Sequence, residues 1–555
     1  RSGEQTKAAY LYSKVFDLCP RYRLEAYKSF KFFKAEEEAV IALCKNNHEK
    51  AVYYTIMAYY TELPDTMYIN KIYQLEPKST ELEVLLCREI SKIEYKLQSI
   101  YGSEAEIAGN VLYTAEIINA ASLLKQRIAQ IADAGNTANP AIWNMALAYM
   151  GYLQNDVKTA DFYMSKINPD MLNMKLNNQY NVLKVLVEII RTDRITATTE
   201  VAIIPYIKKM RAAFDYKKGI LQEEDLYDES QKNHQFADRA YATLMTEILS
   251  RAYASQGDNV KALICMSAGE SDASFYPYTY YDGDFLNSTT FRIMDKSVKI
   301  DDLRAILQFV SNPRTTEFDN FICNHTGIEI PSLVELIGTK FIRMNDFGNA
   351  VSILMINPEN RKDDIGDYID SNPFGDTISE THSKTSADTV VYTKLSFARR
   401  MFELENLLKS DPANAASYYY QLANAYYNIS YNGNSWAIVQ YNRSSGEVYG
   451  IDKNSIINDY YTAKKSLDYF LRAKNSSEDK EFKARCTMLA AKAYQLQTLS
   501  FREYWSDKPL MQEEYFVNNP YFESLYKDYR KTALYKQAIG QCTYLKDFVA
   551  NYKKR

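Results

Sequence analysis

The chain of 555 residues carries 66 Lys+Arg against 70 Asp+Glu, a net charge of −4 that argues against a nucleic-acid binder and its basic stripe. Glycine (18) and proline (14) are scarce while tyrosine (48) is plentiful, a balance that disfavours turn-dense β architectures and favours long helices. Seven cysteines lie far apart without a C-x-x-C pair, so neither a disulfide framework nor a structural zinc site is expected, and most of the thiols should act as small buried hydrophobes.

In chain order, residues 1–100 read as N-terminal helices. "KAAYLYSKVFDLCP" (7–20) and "INKIYQLEP" (69–77) are amphipathic segments closed by Pro20 and Pro77, because proline cannot continue a helix and drives its predecessor out of helical geometry. Residues 101–268 continue the pattern. Ser103-x-x-Glu106 reads as a capping box. "NMALAYMGYLQNDVKTADFYM" (144–164) sets Leu147-Ala148, a turn at Asn155-Asp156, then Ala160 and Met164, with Gly151 where an aromatic residue is expected. "TEILSRAYASQGDNVKALICM" (246–266) repeats the order with Leu249, Tyr253, Gly257-Asp258, Ala262 and Met266.

Residues 269–303 read as an irregular Tyr/Asp-rich insertion, containing "GESDASFYPYTYYDGDFLNSTT". Helices return over 304–358, where Ser332-x-x-Glu335 reads as a second capping box. There "VELIGTKFIRMNDFGNAVSILMINP" carries Ile337-Gly338, Phe341, Asn345-Asp346, Ala350, Leu354 and Pro358. Residues 359–389 form a polar acidic loop, and 390–555 a C-terminal helical region in which "FARRMFELENLLKSDP" (397–412) is again closed by proline. These spacings resemble the tetratricopeptide repeat, a unit of about 34 residues whose two antiparallel helices meet through small residues beside large ones. Gly338 and Ala350 are expected to leave room for Phe341 and Leu354. The resemblance implies an all-α, irregular solenoid of antiparallel helix pairs with long loop insertions.

"SYYYQLANAYYN" (417–428) fits a first helix, but Ala463, the best small residue for its second helix, comes far later than Ala350 does after Phe341. Residues 427–458 therefore read as an insertion between paired helices. Asn432-Gly433 is expected to take the positive φ angles of a helix C-terminus or a type I′ turn, and "SWAIVQY" to form a short helix capped by Ser435, with one strand of a hairpin as the alternative. Tyr431, Asn434, Trp436, Tyr441 and Asn442 combine aromatic faces with amides and are the candidate ligand-binding residues; the competing reading folds Trp436 and Ile438 back to seal the gap between helices.

No catalytic residue, metal site or cofactor is expected. His48, His234, His325 and His382 lack ligand spacing, and "DDIGDYIDSNPFGD" (363–376) lacks the frame of a calcium loop. The P-loop, nucleophile-elbow and dinucleotide fingerprints do not occur. No apolar run approaches the roughly 20 residues of a membrane span. The start "RSGEQTKAAY", without an initiator Met, raises the expectation of an upstream portion, of which a signal or lipid anchor is one form, that was removed or never included. The resemblance implies a non-enzymatic scaffold for a protein or peptide partner, part of a larger assembly. The alternative is a glycan-binding envelope protein similar to the SusD-like lipoproteins, although the Asn-Pro-Gly-Tyr type of ending is replaced here by "YLKDFVANYKKR". The expected location is the bacterial cell envelope, with the cytoplasm as alternative.

Overall fold

A computed structural model of the chain describes residues 2–30, 35–61, 64–101, 111–218, 236–270, 285–312, 316–356, 372–376, 392–443, 458–496 and 518–554. The fold is all-α, and no strand occurs among the described residues. The chain divides into two compact units, Arg1–Asp258 with Thr316–Phe321, and Asn259–Thr315 with Ile322–Arg555.

The first unit begins with α1 (Ser2–Leu18), α2 (Arg23–Phe30), α3 (Glu37–Leu43), α4 (Asn47–Ala58), α5 (Met67–Leu75) and α6 (Thr80–Tyr101). It continues through α7 (Val111–Ala134), α8 (Pro140–Leu153), α9 (Val157–Ser165), α10 (Met174–Ile190), α11 (Ala197–Lys218), α12 (Phe236–Thr243) and, after one π-helical turn, α13 (Ser250–Ser255). Helices pack chiefly on neighbours in sequence: α4 on α5, α7 on α8, α8 on α9, α10 on α11. Two cores result. Phe16, Phe30, Val52, Tyr53 and Ile56 fill one, and Ile69, Leu85, Ile128, Trp143 and Leu147 the other.

The second unit contains α14 (Asn259–Glu270), α15 (Thr289–Lys296) and α16 (Ile300–Ser311), then α17 (Glu317–His325), through which the division between the units runs. It continues with α18 (Ile330–Arg343), α19 (Phe347–Leu354), α20 (Lys394–Ser410), α21 (Ala415–Asn428), α22 (Asn458–Thr462), α23 (Lys464–Asn475) and α24 (Lys480–Leu496). It closes with α25 (Pro520–Tyr529), α26 (Ala533–Gln541) and α27 (Thr543–Tyr552). Here α18, α19, α20 and α21 pack in succession, α21 skips the insertion to pair with α23, and α23 packs on α24. Phe470, Met488, Phe522, Leu525 and Phe548 form the C-terminal core.

The hairpin expected at 334–358 is α18–α19, and the one at 144–164 is α8–α9. Both end their first helix with the same turn. Asn155 (φ 53°) and Asn345 (φ 59°) take the left-handed conformation, and the following N–H reaches back to Gly151 O (2.8 Å) or Phe341 O (2.9 Å). The next residue then caps the second helix: Asp156 accepts from the Thr159 N–H and Asp346 from the Asn349 N–H, each at 3.1 Å. Gly257 (φ 85°) and Asp258, whose N–H bonds Tyr253 O at 2.9 Å, build the same turn at 246–266, and the unit division falls directly after it.

Close approach explains the small residues. A Cβ on Gly338 would lie 2.5 Å from the Leu354 side chain, and one on Gly151 would lie 2.8 Å from the Ala160 nitrogen. Gly151, out of place by the repeat pattern, thus lets the backbone of α9 press against α8.

Four expectations are corrected. Ser332 caps nothing: α18 starts earlier, with Pro331 in its first turn, so Ser332 is a buried residue inside the helix. Of the stretch 269–303, residues 271–284 lie outside the described residues, and the described remainder is not irregular throughout but includes the end of α14, α15 and the start of α16. Asn432-Gly433 has no positive φ; glycine is required because a Cβ would meet Asn428 O at 2.0 Å. Of the cysteines, Cys265, Cys486 and Cys542 are buried as expected, but Cys19 and Cys87 are exposed. Ser103, Glu106, Pro358, His234, His382 and most of the 359–389 loop lie outside the described residues.

Candidate functional site

The insertion after α21 turns back on its own unit. Ser435 N–H bonds Asn428 O (2.8 Å), Tyr431 N–H bonds Tyr460 O (2.8 Å), and residues Trp436–Ile438 make one 3₁₀ turn. The side chain of Ser435 does not cap that turn. Ala437, Ile438 and Val439 are buried. Residues 444–457 lie outside the described part.

Of the five candidate residues, Trp436 is 9% exposed, and the Arg443 guanidinium stands 5.2 Å from its ring centre and 5.8 Å from that of Tyr431. Tyr431 is half-buried and packs on Tyr460 and Tyr461. Asn434 and Asn442 are exposed. Tyr441 has partners of its own. Its ring meets Phe291 of α15 edge-on at 4.8 Å, and its hydroxyl lies 3.1 Å from Thr339 Oγ1.

Tyr441 thereby joins a polar cluster that its sequence neighbourhood does not announce. Lys394, the first residue of α20, is set in place by a capping box in which Thr393 accepts from the Ser396 N–H and Ser396 Oγ from the Thr393 N–H. Its Nζ donates to Glu335 Oε1 (2.7 Å) and Thr339 Oγ1 (2.9 Å), and lies 4.1 Å from the Tyr441 ring centre. Glu335 and Thr339 are four residues apart and so share one face of α18. The Thr339 hydroxyl donates to the Glu335 carbonyl at 2.8 Å, which leaves its oxygen to accept from Tyr441 and Lys394.

One turn further along α18, Arg343 forks onto both Asp295 oxygens and donates through Nε to Val439 O (2.6 Å), and Lys340 donates to Val298 O (2.8 Å). The cluster therefore ties α15, α18 and α20 to the insertion.

Its electrostatics follow from burial. Loss of water pushes the Lys394 amine below the ordinary lysine range, against the pull of the Glu335 carboxylate, and burial holds the Tyr441 phenol well above its usual value. Desolvation lowers Lys340 as well. An ammonium this dry is retained only because a carboxylate, a hydroxyl and a ring face replace its hydration. The arrangement clamps helices together.

A second anchor holds the fragment 372–376. Asn428 Nδ2 donates to Pro373 O (2.9 Å) and Gly375 O (2.8 Å), and Phe374 stacks on Phe397. Asp376 accepts from the Tyr420 hydroxyl (2.6 Å) and Arg485 (2.5 Å). No group of three or more His, Cys, Asp or Glu suited to a metal ion occurs among the described residues.

Comparisons with known protein families, with curated proteins and with solved structures give no match. Among the described residues no helix is long and apolar enough to cross a membrane.

Proposed function

We propose that the chain is a non-enzymatic scaffold, built from tetratricopeptide-like helical hairpins, that holds a protein or peptide partner within a larger assembly. The observation that carries this reading is the shared construction of α8–α9 and α18–α19: a left-handed asparagine, a capping aspartate and a glycine at the helix contact. Stacked hairpins of this kind offer a broad surface with little chemistry of its own. The insertion fits the reading as a brace, because its apolar centre is buried and its amides Asn434 and Asn442 face water.

The test captures proteins from a native extract on the purified chain and measures each, once purified, by titration calorimetry, with a glycan array in parallel. Saturable 1:1 binding of one protein supports the scaffold. Saturable glycan binding lost on Asn434→Ala or Asn442→Ala, with no protein bound, would replace it with the SusD-like alternative. That alternative needs an aromatic platform, and the Trp436 ring is buried beneath Arg443.

A further inference from the structure

His48, in the first turn of α4, stands between two carboxylates from different helices. Its Nδ1 lies 3.0 Å from Glu76 Oε2 at the end of α5, and its Nε2 lies 3.2 Å from Asp17 Oδ1 near the end of α1. A neutral imidazole carries a single N–H, so it can donate to one of these oxygens and must turn a bare lone pair toward the other. The imidazolium donates to both. Only the protonated ring completes the bridge.

We propose that His48 is a proton-operated latch that fastens α1 and the end of α5 to the start of α4 when protonated and slackens when the proton leaves. The neighbouring charges leave the bridge to these three residues. On α1, Lys14 is held by Glu49 at 2.9 Å, and Tyr10 also donates to Glu49. On α3 and α5, Glu37 pairs with Lys71 (2.6 Å). On α6, Glu81 pairs with Arg23 (3.1 Å).

The partial positive charge at the N-terminus of α4 opposes a cation at His48, but two carboxylates in direct contact outweigh it. The bond from Glu76 is the largest influence on the ring, burial works against it, Asp17 adds to it, and the net effect raises the histidine above its ordinary value. A raised folded-state value means the latch is complete below the ordinary titration range near pH 6.5 and is lost as the pH climbs through the folded-state value. Half the ring is open to water, so protons exchange freely and the response is local.

Helix α1 is the element that should respond, since among the described residues it packs chiefly on α2, α3 and α4 and on the short turn after it. The experiment is hydrogen exchange of the full chain at about pH 6 and about pH 8.5, corrected for intrinsic rates, beside an NMR titration of the His48 Cε1 proton. The expected result is a several-fold loss of protection in α1 at the higher pH, centred on the His48 titration and absent in His48→Gln. His48→Gln and Asp17→Asn should each flatten the pH response without unfolding the chain. Equal protection of α1 at both pH values, or a His48 titration at or below the ordinary value, overturns the proposal.

Discussion

The Lys394 ammonium and the Glu335 carboxylate meet at 2.7 Å with both side chains almost wholly out of water, across 59 residues of sequence. Removing one partner strands the other in a dry environment. Lys394→Met should destabilise the chain by about 3–5 kcal/mol, whereas Lys394→Met combined with Glu335→Leu should recover most of the loss. Denaturant unfolding of the singles and the double completes the cycle. A double-variant cost equal to the sum of the two single costs would show that the two charges do not depend on each other.

Gly433 is the next test. Its place beside the Asn428 carbonyl has no room for a methyl group, and the obstructing atom is backbone, which cannot rotate away. Gly433→Ala should cost about 3 kcal/mol, while Asn432→Ala, at an exposed position, should change stability by less than about 0.5 kcal/mol. Thermal unfolding distinguishes them.

Asn155 tests the turn between α8 and α9. Its φ of 53° suits asparagine or glycine and penalises a branched side chain. Asn155→Gly should be neutral or slightly stabilising, and Asn155→Val should cost about 1–2 kcal/mol, measured as a shift in the urea midpoint.

Acid stability has an identifiable contributor in Glu49. It accepts from Lys14, from the Lys45 N–H (2.8 Å) and from Tyr10 (3.0 Å), and these bonds, led by Lys14, bring its carboxyl down to about 2. A depressed folded-state value contributes stability that is complete above the unfolded value near 4.5 and is lost as the pH falls toward 2. Glu49→Gln should therefore be less stable than the parent at neutral pH, with the gap narrowing between about pH 4.5 and pH 2 in urea titrations.

How far the sequence spoke for the structure depended on distance along the chain. The hairpins α8–α9 and α18–α19, the helix ends before Pro20, Pro77 and Pro412, and the partnership of α21 with α23 are written in spacings of a few residues or in one missing segment. The Ser332 assignment failed because Pro331 is itself a helix-start signal and moved the first turn forward. The Lys394 cluster had no local signal. Glu335 and Thr339 look like ordinary helix surface until α20 is laid across them, and Lys394 reads as any solvated lysine. Tyr441 stands out in the sequence for its aromatic face, and nothing near it in sequence points to the partners it meets on α15, α18 and α20.

The bonds that seat Val439 and Tyr441 on α18 span 96 and 102 residues, whereas the turns within the hairpins close over five. Loop closure over such a span is slow and entropically costly compared with zipping a hairpin. The order of assembly follows: the helical pairs form early from local contacts, and the insertion docks late. Until it does, the amine of Lys394 lacks the Tyr441 ring that covers it, so docking the insertion is what takes the last water from one lysine.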